Sequence, residues 1–274
     1  SAAWAAFAVA FAALFRGAVF NYRASDATGM LYPLTETLTV ATPLIIIWAV
    51  ISILYGALAA IGQRDLMRFV AFTSISHFGF IVLGIFALTT TAGIGSNLYM
   101  INHGFTTAAL FLFAGMLIKR RGSSRISDFG GWQRVTPVLA GVFFVAGLSG
   151  LALPGLNSFV SEFLVMVGTF GKYKVATIIA VVGVVLAALY ILLMYQRVMT
   201  GPKPDDPQVD GRPVRDLNVR EKLVAAPLIV LFLILGFFPK PALDLLRPAV
   251  TTTLQHVGVT DPAPTQGVAE GSNP

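Results

Sequence analysis

Apolar residues in this chain occur in long runs that are separated by short polar stretches. A helix needs about 20 mostly apolar residues to cross a bilayer, and seven runs meet or nearly meet that length. They cover residues 2–20, 42–61, 69–88, 98–118, 137–170, 175–199 and 224–238. The pattern therefore predicts an all-α polytopic membrane protein with about seven transmembrane segments.

The run over residues 137–170 differs from the others because helix-breaking residues interrupt it near its middle. Gly150, Pro154 and Gly155 lie close together, and Glu162 follows them. Lipid offers no hydrogen-bond partners to an interrupted backbone, so such a break is tolerated only against protein or a hydrated cavity. Discontinuous helices that carry an ionisable residue are typical of the ion sites of transporters. We expect function to depend on this run.

Composition supports a membrane protein and excludes several other classes. Of the 274 residues, 56% are hydrophobic and 12% are charged, whereas soluble domains carry about 25% charged residues. The absence of Cys excludes a thiolate-bound iron–sulfur cluster or a Cys-based zinc site in this chain. The net charge of +6 arises in short loops, where it indicates topology instead of nucleic-acid binding.

The basic residues are distributed unevenly between two alternating sets of loops. Residues 63–68, 119–134 and 200–222 contain most of the Lys and Arg side chains that lie between the apolar runs. The opposite set, 89–97, 171–174 and the tail after Pro239, contains few. The positive-inside rule therefore predicts that the first set is cytoplasmic and that the C-terminus is outside.

Three ionisable side chains, His77, His103 and Glu162, lie well inside apolar runs. Imidazole titrates near neutrality, and its surroundings hold a buried carboxylate protonated or ionised, so these groups are suited to a proton relay. Hydroxyl residues accompany them at helical spacing: Thr73, Ser74 and Ser76 near His77, Thr106 and Thr107 near His103, and Ser158 four residues before Glu162.

Two other interpretations of these residues remain open. In the first interpretation, each His is a packing residue that bonds to a neighbouring hydroxyl or carbonyl, as polar residues in membrane bundles often do. Alternatively, the His and Glu side chains bind a metal ion. No HxxxH or ExxH spacing places two ligands on one helix face, so we predict no metal site.

A series of short motifs follows in one continuous order between about residues 43 and 199. They are Tyr55-Gly-Ala, Gln63, Asp65, Arg68, Ser76-His77, Asn102-His103-Gly104, Asp128-Phe-Gly-Gly, Leu153-Pro154-Gly155 and Phe159-Val-Ser-Glu162-Phe. The series resembles the antiporter-like subunits of proton-pumping NADH:quinone oxidoreductase, respiratory complex I. Sibling subunits and Mrp cation/proton antiporters usually carry Lys where this chain has Glu162. A Glu there is similar to the subunit M branch of the family, which includes mitochondrial ND four.

The resemblance implies a proton-translocating membrane subunit of an enzyme whose redox chemistry lies in other subunits. Glu162 would end a half-channel on the broken helix, while His77 and His103 would belong to a polar axis at mid-membrane. The hydroxyls of Ser74, Ser76, Thr106 and Thr107 would support that axis. NADH, FMN, iron–sulfur clusters and quinone would be held elsewhere, so no cofactor is expected in this chain.

The resemblance also implies partners and a location. The expected partners are other membrane subunits of complex I, including neighbouring antiporter-like subunits, together with the bilayer and protons. The expected location is an energy-transducing membrane, the bacterial cytoplasmic membrane, which the chain crosses several times.

The chain departs from the family pattern in two respects. Family members contain two inverted five-helix repeats, and this chain resembles only the C-terminal half, the second repeat with the closing helix. The run at 2–20 takes the place of a helix with a buried Lys, but its basic candidates, Arg16 and Arg23, lie near or beyond its end. The alternative functions are a subunit of an Mrp-type antiporter or a membrane-bound hydrogenase, or a degenerate half-subunit that acts as a membrane scaffold.

This interpretation divides the chain into five parts. Residues 1–35 hold the first run and an exposed loop, and 36–199 form the five-helix repeat. Residues 200–222 are a cytoplasmic loop, 223–239 the last membrane helix, and 240–274 an outside tail that is partly disordered. Within the tail, 241–256 has the apolar spacing of a short interfacial helix.

Overall fold

The computed structural model describes residues 32–204, 208–209, 212–259 and 261. Within these ranges it contains eight α-helices: α1 Tyr32–Ile61, α2 Leu66–Phe86, α3 Thr90–Arg121, α4 Pro137–Gly150, α5 Asn157–Phe170, α6 Lys174–Met199, α7 Val219–Phe237 and α8 Lys240–His256. The described part also contains two 3-10 turns, Ile126–Asp128 and Trp132–Arg134. Two antiparallel strands of two residues each, Gln208–Val209 and Arg212–Pro213, complete it. The predicted run at 2–20, Arg16, Arg23 and the tail from residue 262 lie outside the described residues.

The helices have the lengths and composition of membrane spans. Helices α1, α2, α3 and α6 are each long and apolar enough to cross a bilayer, and α7 with α8 qualifies as one span bent by 71°. Helices α4 and α5 are shorter apolar helices that occupy the predicted broken run. The all-α polytopic architecture with one broken helix is thereby confirmed. The division of the chain into five parts stays a prediction.

Three helices begin five or more residues before the apolar runs that predicted them. Helix α1 starts at Tyr32 and not at 42. Helix α3 starts at Thr90 and not at 98, since the Thr89 hydroxyl accepts the N–H of Ala92 at 3.3 Å. Helix α7 starts at Val219, where Asn218 and Glu221 form a capping box. Apolar runs underestimate such helices because their capped ends are polar.

Glycines bring α3 into close contact with α5. A Cβ on Gly168 of α5 would lie 2.3 Å from the backbone nitrogen of Ala92 of α3, and one on Gly95 of α3 would lie 2.8 Å from the Cβ of Leu164 of α5. Neither distance is possible for a larger residue without a shift of the helices. The backbones of α3 and α5 can therefore approach closely only because these positions have no side chain.

Two apolar cores lie one above the other along the bundle. One surrounds Phe69, Phe113 and Tyr190, and the other surrounds Ile53, Phe80 and Tyr99. The first lies towards the end of the bundle that carries the basic loops, here called the basic end. Polar side chains of α2, α3 and α5 are buried where the two cores meet.

Capping interactions close the basic end. Asp65 accepts the N–H of Arg68 at 2.9 Å at the start of α2, and the Ser124 hydroxyl donates to its other oxygen. Desolvation of the Asp65 carboxyl raises its pKa, but these hydrogen bonds outweigh that effect and leave the pKa below its usual value. Arg120 of α3 pairs with Glu221 of α7 at 2.6 Å. These contacts hold the helix ends in a fixed arrangement.

Candidate functional site

The predicted break separates α4, which ends at Gly150, from α5, which begins at Asn157. Gly155 has a φ of +94°, which glycine adopts without strain. Helix α7 covers this segment closely, because a Cβ on Gly236 would lie 2.3 Å from the carbonyl oxygen of Gly155. The non-helical backbone is thus packed against protein, as a break at membrane depth requires.

A cluster of neutral polar side chains joins the break to α3. This cluster, here called the break ring, consists of Asn102, Thr106, Ser149, Asn157, Ser158 and Ser161, all buried. The Thr106 hydroxyl lies 2.7 Å from that of Ser149, and the Ser149 hydroxyl donates to Oδ1 of Asn157 at 2.5 Å. The ring therefore connects the last turn of α4, the first turn of α5 and one face of α3.

Two asparagines in the break ring bind each other's backbone. Nδ2 of Asn102 donates to the carbonyl of Asn157 at 2.7 Å, and Nδ2 of Asn157 donates to the carbonyl of Asn102 at 3.2 Å. Nδ2 of Asn102 also lies 3.2 Å from the hydroxyl of Ser161. Oδ1 of Asn102 is buried and has no hydrogen-bond partner among the described residues.

A second group of polar side chains contains the titratable residues. This group, here called the titratable row, consists of Glu162, Tyr99, Tyr190, His77, His103 and Thr107. Nδ1 of His77 lies 2.7 Å from the hydroxyl of Tyr99, and its Nε2 lies 3.4 Å from the hydroxyl of Tyr190. The imidazole of His77 is thereby held between phenols from α3 and α6.

His103 lies next to His77. Their ring centroids are 5.3 Å apart with an interplanar angle of 42°, and His103 contacts the Thr107 hydroxyl at 3.2 Å through Nδ1 or 3.3 Å through Nε2. No hydrogen bond joins the two imidazoles in the described part of the chain. The two predicted histidines therefore form one site on adjacent helices.

Glu162 is buried, with 3% of its surface exposed. Within the described ranges no Lys, Arg or His lies in ion-pair distance of it. Its carboxyl group is close enough to the hydroxyls of Tyr99 and Tyr190 to interact with both electrostatically. Glu162 thus lies in the same buried region as the two phenols that hold His77.

The structure divides the predicted hydroxyl residues between three surroundings. Thr107 contacts His103, whereas Thr106 and Ser158 belong to the break ring, with their hydroxyls 3.5 Å apart. Ser76 donates to the carbonyl of Ile53 in α1, and Ser74 donates to that of Val70 in its own helix. The functional roles of all these residues stay predictions.

Sequence reasoning missed Tyr99, Tyr190 and the asparagine pair. Tyr99 precedes His103 by four residues, so it shares a helix face with that residue. Tyr190 is a lone hydroxyl in the apolar centre of the run at 175–199. Both signals were present in the sequence, but only carboxylates and imidazoles were predicted as the titratable groups of the relay.

The described residues contain no group of three or more His, Cys, Asp or Glu that could hold a metal ion.

Comparisons with known proteins agree with this arrangement of helices. The family model described as NADH:quinone oxidoreductase/Mrp antiporter, TM matches residues 8–187. This chain belongs to that family of antiporter-like membrane proteins.

Individual relatives are subunits of NADH-quinone oxidoreductase. Subunit M from Mycobacterium tuberculosis is 54% identical over 222 residues, which are 81% of this chain and 39% of that protein. NADH-ubiquinone oxidoreductase chain 4 of Arabidopsis thaliana is 34% identical over 216 residues, 78% of this chain and 43% of that one. The chain therefore spans less than half the length of these relatives. The predicted resemblance to the subunit M branch is confirmed.

Solved structures share the fold. A chain of respiratory complex I from Thermus thermophilus with bound NADH superposes with a TM-score of 0.75 and 29% identity, covering 82% of this chain and 47% of that one. A chain of the Mrp complex from Dietzia gives a TM-score of 0.70 at 23% identity, covering 79% and 49% respectively. The second likeness establishes the fold alone.

Proposed function

We propose that this chain carries protons across the membrane as part of a subunit M-like protein of NADH:quinone oxidoreductase. The observation that carries the proposal is a buried carboxyl group, Glu162, on a helix that packs against α3, together with a buried imidazole, His77, held between two phenols. Redox chemistry in other subunits would supply the energy. The chain itself would hold no redox centre.

The environment of Glu162 favours proton exchange over a fixed charge. A charge at the centre of a membrane helix costs from about 2.5 to more than 10 kcal/mol, depending on how far water and protein reorganise around it. No cationic partner among the described residues offsets that cost. A change in the surroundings of Glu162 would therefore be sufficient to load or release its proton.

His77 connects Glu162 to the rest of the titratable row. In a neutral imidazole one ring nitrogen donates and the other accepts. The phenols of Tyr99 and Tyr190 must then take opposite roles, one accepting from His77 and one donating to it. A proton that enters at one nitrogen and leaves at the other reverses both bonds, which is the behaviour expected of a relay.

His103 and Thr107 extend the row along α3. The two imidazoles are tilted by 42° and share no hydrogen bond in the described part of the chain, so transfer between His77 and His103 would need a bridging water molecule. Ser76 ties the helix of His77 to α1 through the carbonyl of Ile53, whereas Ser74 bonds within its own helix. Thr106 and Ser158 connect α3 to the start of α5.

The membrane context of the proposal follows from the family and the charge distribution. We assign the partners as other membrane subunits of complex I, and the location as the bacterial cytoplasmic membrane with the basic end inside and the C-terminus outside. The exposed Lys119, Arg121 and Arg125 at the basic end support this orientation. A cysteine at Ser123 that reacts with an impermeant thiol reagent in intact cells would contradict it.

Substitution of Glu162 in the complete subunit tests the proposal. Glu162→Gln keeps the shape and hydrogen bonding but cannot exchange a proton, so proton pumping per assembled complex should fall at least about tenfold. Glu162→Asp should retain much of the pumping. Glu221→Gln makes the same change at the basic end and should leave the pumping ratio unchanged.

Pumping is measured as protons moved per NADH oxidised, normalised to the amount of assembled complex. A Glu162→Gln complex that pumps like the Glu221→Gln control would show that Glu162 is a packing residue and that the chain acts as a scaffold.

A further inference from the structure

The break leaves the start of α5 without a continuous helix to hold it. Six residues separate Gly150 from Asn157, so α4 does not fix the rotation of α5 about its own axis. At the far end of α5, Gly168 packs directly on Ala92 of α3. At the break end, the position of α5 relative to α3 depends on the break ring.

The reciprocal asparagine bonds depend directly on the relative position of the two helix backbones. Each amide binds the carbonyl of the other residue, so both bonds require one alignment of α3 with α5. A shift of α5 by one residue would move it by 1.5 Å and rotate it by 100°. Such a shift would break both bonds and change the direction in which the Glu162 side chain points.

Asn102 is an unfavourable choice for a residue that only packs. It is fully buried, and Oδ1 has no partner among the described residues. A buried unsatisfied acceptor is destabilising, whereas the amide nitrogen of Asn102 supplies the donor that pairs the buried carbonyl of Asn157. The amide at this position therefore combines one unpaired acceptor with bonds that require one alignment of α3 with α5.

The location of Asn102 suggests what the amide does. It lies between Tyr99 and His103 on α3, and Asn157 begins the helix that carries Glu162. The asparagine pair thus links the helix of the phenol and the imidazole directly to the helix of the carboxyl group. A carboxyl group that must exchange protons with a phenol depends on a separation fixed to within about 1 Å.

We propose that Asn102 is a positioning residue that fixes the register of α5 against α3 and so fixes the position of Glu162 relative to the titratable residues of α3. This inference rests on the function proposed above. Asn102 does not itself carry the proton, because its amide has no titratable group.

Asn102→Leu in the complete subunit tests the inference, with Asn97→Leu as the matched control. Asn97 lies on the same helix, and within the described residues its amide bonds only to the carbonyl of Gly93 in α3. Asn102→Leu should lower pumping per assembled complex at least about tenfold, because a misplacement of about 1 Å can cost a factor of 100. Asn97→Leu should pump normally.

Cross-linking gives a readout of register that does not depend on pumping. The hydroxyls of Thr106 and Ser158 are 3.5 Å apart, and the chain has no native Cys, so a Thr106→Cys/Ser158→Cys pair should oxidise readily. Adding Asn102→Leu should reduce disulfide formation several-fold, whereas adding Asn97→Leu should not. A normal pumping ratio, or unchanged cross-linking, in the Asn102→Leu complex would overturn the inference.

Two further outcomes are also decisive. If Asn102→Leu prevents assembly, Asn102→Ser replaces it in both measurements. This variant is smaller and keeps a hydroxyl, and it should likewise lower pumping and reduce disulfide formation. If Glu162→Gln pumps normally, the proposed function fails, while reduced cross-linking with Asn102→Leu would still support the role of Asn102 in register.

Discussion

Helix α3 contributes to two buried polar groups that differ in chemistry and in bonding. The break ring contains only amides and hydroxyls, and its members form a closed set of bonds across three helices. The titratable row contains a carboxyl group, two phenols and two imidazoles, and its contacts are sparser. Asn102 and Thr106 project into the ring, whereas Tyr99, His103 and Thr107 belong to the row.

The difference separates a rigid part of the site from a part that can change state. A polar network with most of its members satisfied resists rearrangement, because each movement breaks several bonds in a medium without water. In the row, the bond from Tyr190 to His77 is long at 3.4 Å, and the two imidazoles lie in tilted contact without a hydrogen bond between them in the described part of the chain. Such groups can change partner at low cost. The ring is therefore suited to holding geometry, and the row to moving protons.

The largest effect on proton pumping should come from His103→Ala, which removes a member of the titratable row and leaves the break ring intact. We expect pumping per assembled complex to fall about tenfold or more, because a positioned acid–base group contributes factors of that size or larger. Assembly should be largely retained. The measurement is protons moved per NADH oxidised, with His256→Ala at the end of α8 as the control.

Loss of assembly in the His103→Ala variant, with normal pumping by the complex that does form, would assign His103 to packing. The row would then be no different in kind from the ring.

A smaller effect should distinguish the two phenols of the row. Tyr99→Phe removes the 2.7 Å contact to His77, and Tyr190→Phe removes the 3.4 Å contact. Because the shorter hydrogen bond is the stronger, Tyr99→Phe should reduce the pumping ratio more than Tyr190→Phe. Tyr195→Phe, whose hydroxyl donates only to the carbonyl of Ala140 in the described part, serves as the control.

Equal pumping by the Tyr99→Phe and Tyr195→Phe complexes would remove Tyr99 from the row. Glu162 would then have to reach His77 by another route.

The smallest effect on proton movement should follow from Ser149→Ala, which opens the ring at one point. Oδ1 of Asn157 and the hydroxyl of Thr106 each lose a partner, which should destabilise the protein by about 1–3 kcal/mol. Thermal unfolding of the assembled complex measures this loss, and the exposed Ser127→Ala is the control. The pH dependence of pumping should not change, because the ring holds no titratable group. A shifted pH profile would show that the ring and the row are one network.

Much of this molecule could be predicted from its apolar and polar pattern. The described spans, the broken run and the burial of Glu162, His77 and His103 all follow from where long apolar runs meet isolated polar residues. Helix starts were less predictable, because Thr89 and Asn218 cap helices with polar turns that apolar runs exclude. The role assigned to each buried polar residue stays a prediction.

By itself the sequence determined which side chains are buried and which helix face each occupies. Only the tertiary structure decided which faces meet: Tyr190 joins His77 across 113 positions of sequence, and Asn102 joins Asn157 across 55. It also buried Glu162 where no cation of the described residues lies within ion-pair distance. The physical reason is that helical periodicity sets the direction of a side chain about its own axis. The rotation and depth of one helix against another depend on packing, here on Gly95, Gly168 and the asparagine pair.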